Sequence, residues 1–247
     1  LEPRRDFFLP GPPFEKVDVY PWRYNRSLSY IRRPLLKIES EEGTRVLWGN
    51  RHLMHAFDYL LDLCFGGRLK AHSSEMKSLM SRFHKESGNA FNDAVADLFE
   101  SMSGIKVQRR LKKIGHRRIQ GPDGDLGDID VLVTDTFRKV IYLIECKDLA
   151  VARTPYELKR ELDELFLGTE TKRSIVMKHN QRTQWIQANL KDVLVEFSVN
   201  TRTGWRVKPL IVVDEEILSP YLFQSTIEVI SFQQLKEEFI PSWFGRK

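Results

Sequence analysis

Two short apolar segments between Gly127 and Lys147 carry carboxylates at their ends, which a folded chain tolerates in few arrangements. The first is Gly127-Asp128-Ile129-Asp130, running into Val131-Leu132-Val133. The second is Tyr142-Leu143-Ile144-Glu145-Cys146-Lys147. Asp135-Thr136-Phe137-Arg138 between them is a turn sequence, so the pair predicts an antiparallel hairpin. Burying a carboxylate without a partner is costly and usually shifts its pKa instead. Side chains of matching parity on facing strands share one face of a sheet. By that rule Asp128 sides with Asp130 and Glu145 with Lys147, and Asp130, Glu145 and Lys147 converge at one edge of the hairpin. Such oxygen ligands suit Mg²⁺ or Mn²⁺, with the backbone carbonyl of Cys146 as a further donor. A metal there would polarise a phosphate and activate water, and Lys147 would orient that water and stabilise developing negative charge. The chemistry this favours is phosphodiester hydrolysis.

The rest of the chain frames that hairpin. Residues 1–45 are dense in Pro, Arg and aromatics, including Phe7, Phe8, Pro12, Pro13, Tyr20 and Trp22, which predicts an extended arm with a few short strands. Arg32, Arg33 and Lys37 could touch a phosphate backbone or simply be solvated. Apolar spacing predicts helices over 51–66, 74–84 and 88–101, the last with Phe91, Val95, Leu98 and Phe99 on its core face. A strand follows over 105–114, assigned because Ile105, Val107 and Leu111 share one parity. Thr154-Pro155-Tyr156-Glu157 has the form of a capping box and starts a helical stretch to about residue 190, with a break near Gly168. Residues 206–213 read as a buried strand whose regular part is 210–213, since Pro209 cannot donate to a ladder. A strand at 227–230 and a helix at 232–239 end the chain. Asp123-Gly124-Asp125 has the look of a calcium loop, but Gly127 falls where the next ligand is needed.

The order helix, strand, Gly-Asp-Ile-Asp, hairpin, Glu-Cys-Lys, helix, strand resembles the PD-(D/E)XK nuclease superfamily over roughly residues 86–214. The resemblance implies an α/β fold: a restriction-endonuclease-like αβββαβ core with a mixed central sheet flanked by helices. Residues 86–247 would form that domain, and 1–85 an N-terminal extension with accessory helices. It implies Asp130, Glu145 and Lys147 as the catalytic set, with Asp130, Glu145 and the Cys146 carbonyl holding Mg²⁺ or Mn²⁺. Many members carry an acid on the first helix; Asn92 stands at that position here, and Glu86, Asp93 or Asp128 could contribute instead. Known members cut DNA, less often RNA, and many serve in restriction, repair or anti-phage defence. A non-catalytic nucleic-acid-binding or assembly domain on the same fold is the alternative.

The net charge of +5 leans weakly toward a polyanionic partner. Arg109, Arg110, Lys112, Lys113, Arg117 and Arg118 are the candidate nucleic-acid contacts, or else the protected edge of a sheet. A second basic stretch, 172–182, is a further candidate. The two cysteines, Cys64 and Cys146, form no disulfide framework or zinc spacing and predict a reduced, intracellular (cytoplasmic) protein. No apolar run is long enough to span a membrane. Phosphate-binding, dinucleotide-binding and serine-hydrolase glycine motifs are absent. Because one site cuts one strand, a homodimer is expected for a double-strand break, and specificity is expected to come from nucleic-acid structure, a partner protein or a further region of a longer chain.

Overall fold

In the computed structural model, which describes residues 31–121, 124–199 and 204–244, the two acid-bearing strands are neighbours in a five-stranded sheet. The arm over residues 1–30 and Asp123 lie outside the described residues. The chain divides into two units, residues 1–87 with 153–157, and 88–152 with 158–247.

In the first unit β1 (Leu36–Ser40) and β2 (Gly43–Leu47) form an antiparallel hairpin, followed by α1 (Asn50–Phe65). Gly67 beyond α1 has φ +64, and a Cβ there would lie 2.5 Å from the Met80 carbonyl oxygen, so only glycine fits. Lys37 is taken by Glu39 at 2.7 Å, and Arg32 lies over the Tyr59 ring, 5.8 Å from its centroid. The two helices expected over 74–84 and 88–101 are one, α2 (Ser74–Glu100). Gly88 does not break it, because a mid-helix glycine costs only about 1 kcal/mol and the apolar face beyond it is buried.

The second unit adds β3 (Ile105–Leu111), the small hairpins β4 (Lys113–Ile114)–β5 (Arg117–Arg118) and β6 (Gln120–Gly121)–β7 (Gly124–Asp125), then β8 (Ile129–Asp135) and β9 (Val140–Lys147). After β9 come α3 (Pro155–Leu162), a π turn over 163–167, α4 (Ile175–Ala188) and α5 (Leu190–Glu196). β10 (Arg206–Val213), α6 (Ser219–Leu222), β11 (Glu228–Ser231), α7 (Phe232–Gln234), a π turn over 235–239 and α8 (Ile240–Phe244) complete it. The sheet order is β11-β10-β9-β8-β3. β3, β8 and β9 pair antiparallel, while β10 runs parallel to both β9 and β11. β10 is regular from Arg206, earlier than expected: its first half pairs with β9 alone, and β11 joins only at Leu210, so Pro209 sits where no ladder bond is needed on that side.

β8 and β9 are apolar almost throughout because both sheet faces are covered. Val131, Val133, Tyr142, Ile144 and Cys146 pack with Val95 and Phe99 of α2 on one side. Leu132, Ile141 and Leu143 pack with Ile186 of α4 and Val193 and Leu194 of α5 on the other. The hairpin turn is fixed by Asp135, a buried carboxylate whose Oδ1 accepts from the N–H groups of Phe137 and Arg138 at 2.9 Å each. The capping box appears in modified form. Thr154 Oγ1 accepts from the Glu157 N–H at 3.2 Å, while Glu157 reaches back to the Arg153 N–H at 2.9 Å.

Candidate active site

The ends of β8 and β9 bring Asp130, Glu145 and Lys147 together. Lys147 Nζ lies 2.7 Å from Glu145 Oε1 and 3.8 Å from Asp130 Oδ2, so both carboxylates address one ammonium. Asp130 Oδ2 also accepts from the Cys146 N–H at 2.9 Å, which pins the acid of one strand to the backbone of the next. Its Oδ1 accepts from Asn92 Nδ2 at 3.1 Å. Asn92, on α2, therefore stands against Asp130, but as an amide donor instead of a third acid.

Asp130 reaches these partners because the in-out alternation of the sheet breaks beside it. Val131 packs on the α2 side and Ile129 on the α4 side, although their spacing predicts one face. On β3, Val107 and Leu111 divide the same way. The break falls between the pairs Arg109↔Val131 and Leu111↔Ile129, where Arg110 adopts φ 51. A left-handed backbone at a non-glycine residue is strained. It lets Arg110 turn to α2, donating to Asp93 at 2.8 Å and to the Asn89 carbonyl at 3.3 Å. Asp128 does not join Asp130 as parity suggested. It precedes β8, is half-exposed, and its nearest cation is Lys112 at 3.9 Å.

Two residues that sequence reasoning assigned to a phosphate-binding stretch are instead buried against Glu145. Arg182 of α4 donates from Nη1 to Glu145 Oε2 and from Nε to the Leu126 carbonyl at 2.7 Å. His179, one turn earlier, bonds the Leu143 carbonyl through Nε2 at 3.0 Å, with Nδ1 3.9 Å from Glu145 Oε2. Ser174 caps α4 by accepting from the Met177 N–H at 3.1 Å, fixing the phase that aims both side chains inward. The i, i+3 spacing of His179 and Arg182 was the only sequence signal that they share a face.

The electrostatics follow from this packing. Burial disfavours the charge on Glu145, but Lys147 and Arg182 outweigh it and hold the carboxyl below its ordinary range. Asp130 is pushed up by burial and by the charge of Glu145, against weaker relief from Lys147. Lys147 is raised despite burial, because Glu145 and Asp130 face it, so it acts as a cation and not as a base. Burial raises the Cys146 thiol well above its usual range, which leaves it inert as a nucleophile.

Burial also lowers His179 to about 4 from 6.5. A depressed histidine contributes stability in its neutral form, present above the unfolded value and lost as pH falls toward the folded one. Between pH 7 and pH 5 the loss should be about 2 kcal/mol from this group. Urea unfolding at both pH values, beside His179→Gln, isolates it; equal pH dependence in the two proteins would refute the assignment.

The donor set fits one hard divalent cation. Asp130 and Glu145 converge on a single positive charge, and Mg²⁺ takes one or two protein carboxylates with water completing its shell. Among the described residues, however, no group of three or more His, Cys, Asp and Glu is placed to hold a metal. Glu86 belongs to the first unit, where it lies 3.8 Å from Arg82.

Of the candidate nucleic-acid contacts, three are already engaged within the chain. Arg109 binds Asp93 at 3.0 Å, Asp97 at 2.6 Å and Glu100, and Arg110 shares Asp93. They fasten β3 to α2, a structural role that sits beside the expected phosphate contact. Arg117 bonds Asn189, between α4 and α5, at 2.8 Å and Asp192 of α5 at 3.2 Å. Lys112, Lys113 and Arg118 remain exposed around the β4–β5 hairpin. In the 172–182 stretch, Lys172 pairs with Glu164 at 3.1 Å. No described helix is long and apolar enough to cross a membrane.

A family model described as anti-phage protein Upx-like matches residues 1–205, a span that includes Asn92, Asp130, Glu145, Lys147 and Arg182. No curated protein and no solved structure matches the chain.

Proposed function

The chain belongs to the Upx-like family of anti-phage proteins, and on that premise we propose that it acts in defence as a metal-dependent nuclease that hydrolyses phosphodiester bonds, most naturally in invading DNA. The observation that carries this is the convergence of Asp130 and Glu145 on the Lys147 ammonium at the ends of two adjacent strands. The element order α2-β3-β8-β9-α4-β10 and the mixed sheet support a restriction-endonuclease-like core.

Asp130, Glu145 and the Cys146 carbonyl would hold Mg²⁺ or Mn²⁺, which supplies a Lewis acid for a phosphate oxygen and lowers the pKa of water. Lys147 stays protonated and half-exposed, so it can leave Glu145 to meet the negative charge that builds on the phosphate. Asn92 and the Cys146 N–H fix the rotamer of Asp130. Exposed Lys112, Lys113 and Arg118 offer backbone phosphate contacts without base readout.

One observation favours a non-catalytic nucleic-acid-binding role. All four carboxylate oxygens of Asp130 and Glu145 already have protein partners, and Asn92 replaces the usual helix acid. Incubating the protein with supercoiled plasmid and with single-stranded DNA, in Mg²⁺, Mn²⁺ or EDTA, decides between the two. Metal-dependent nicking supports the nuclease; DNA retention without cutting in any metal supports the binding role.

A further inference from the structure

A guanidinium buried against a metal-binding carboxylate occupies an oxygen that a cation would otherwise take. Arg182 is buried and anchored at both ends, to Glu145 Oε2 and to the Leu126 carbonyl. Gly127, with φ +77, turns the chain between Leu126 and β8, and a Cβ there would stand 3.1 Å from Arg182 Nη2. The glycine of the Gly-Asp-Ile-Asp motif therefore leaves room for the guanidinium. The other oxygen of Glu145 is held by Lys147 at 2.7 Å. Asp130 and Glu145 are thus balanced by Lys147 and Arg182 before any metal arrives, and Asn92 adds no further negative charge.

The two cations differ in freedom. Lys147 is half-exposed on a flexible stem and can swing toward solvent. Arg182 cannot withdraw from Glu145 without leaving its own buried charge uncompensated. A dication entering beside them meets like charge at short range, where solvent screens little.

We infer that Arg182 takes the place of a second metal ion: it holds one oxygen of Glu145 permanently and limits the site to a single, weakly bound divalent cation. This rests on the nuclease reading of the same site and adds the rule for its metal content. A merely structural Arg182 predicts the opposite sign, since its loss would misplace Glu145 and weaken metal binding.

Titrating the full chain with Mn²⁺ in the absence of nucleic acid, by calorimetry and by electron paramagnetic resonance of the free ion, reads both number and affinity. One Mn²⁺ per chain is expected for the wild type. Arg182→Gln keeps an amide donor and removes the like charge that repels the dication, so it should bind Mn²⁺ about tenfold more tightly or more, or accept a second ion. Arg182→Lys keeps the charge and should hold the wild-type number. Two ions in the wild type, or equal or weaker binding by a folded Arg182→Gln, would overturn the inference. Should Arg182→Gln not fold by circular dichroism, Asn92→Asp serves instead: with Arg182 in place it should bind one ion more tightly, and a second ion would overturn the inference. Glu145→Gln separates the two ideas. Mn²⁺ binding that is absent in every variant, or indifferent to Glu145→Gln, removes the metal site and the nuclease with it. Binding lost in Glu145→Gln but unchanged in Arg182→Gln removes only the role of Arg182.

Discussion

Asp130→Asn and Lys147→Ala should each abolish metal-dependent cleavage while the protein stays folded, a loss of at least about 10²–10³-fold. Asp130→Asn keeps the size of the side chain and, with its oxygen toward the Cys146 N–H and the Asn92 amide flipped to accept from its nitrogen, keeps both hydrogen bonds while removing the charge a metal needs. Burial already pushes the Asp130 pKa up, so neutralising this side chain relieves a strained charge instead of creating one. Lys147→Ala removes a half-exposed ammonium and leaves Arg182 to compensate Glu145. Both variants should therefore melt within a few degrees of the wild type. Plasmid nicking in Mn²⁺, beside thermal melts, measures both halves. Cleavage surviving in both variants would sink the assignment of the site.

Glu145→Ala behaves differently. Glu145 is buried and carries the buried guanidinium of Arg182. Removing it leaves Arg182 with a buried charge and only the Leu126 carbonyl as partner. Breaking a buried pair from one side costs about 3–5 kcal/mol. Glu145→Ala should lose that much stability, while Glu145→Ala combined with Arg182→Met should recover much of it by removing the orphaned charge. Chemical denaturation of the two single variants and the double variant gives the coupling directly. A Glu145→Ala protein as stable as the wild type would mean that Arg182 finds another partner. For activity measurements Glu145→Gln is the better variant, because lost cleavage in Glu145→Ala would mix chemistry with unfolding.

The sequence was sufficient wherever local rules act alone. The apolar runs of β8 and β9, the Asp135 turn and the Thr154–Glu157 cap encode their own conformations, through burial on both sheet faces and short-range hydrogen bonds. Pairing two such strands antiparallel brings Asp130 opposite Glu145, so the acids and Lys147 were legible together. Parity reasoning failed where the alternation breaks at Arg110 and Asp130: a positive φ is not encoded by arginine, and only packing against α2 imposes it. It assigned Leu111 the face of Val107 and grouped Asp128 with Asp130, and the tertiary structure separates both pairs.

Charge was least legible of all. A run of Lys and Arg looks the same in sequence whether it faces water, a phosphate or an acid on another element. Tertiary packing decided that Arg109 and Arg110 are spent on α2, and that His179 and Arg182 lie buried at Glu145. The sequence by itself determined the strands and the acids at their ends, because these depend on neighbours close along the chain. Only the fold decided which cations meet the acids, because Arg182 lies 37 residues beyond Glu145 and the pairing depends on the phase of a capped helix docked on the sheet.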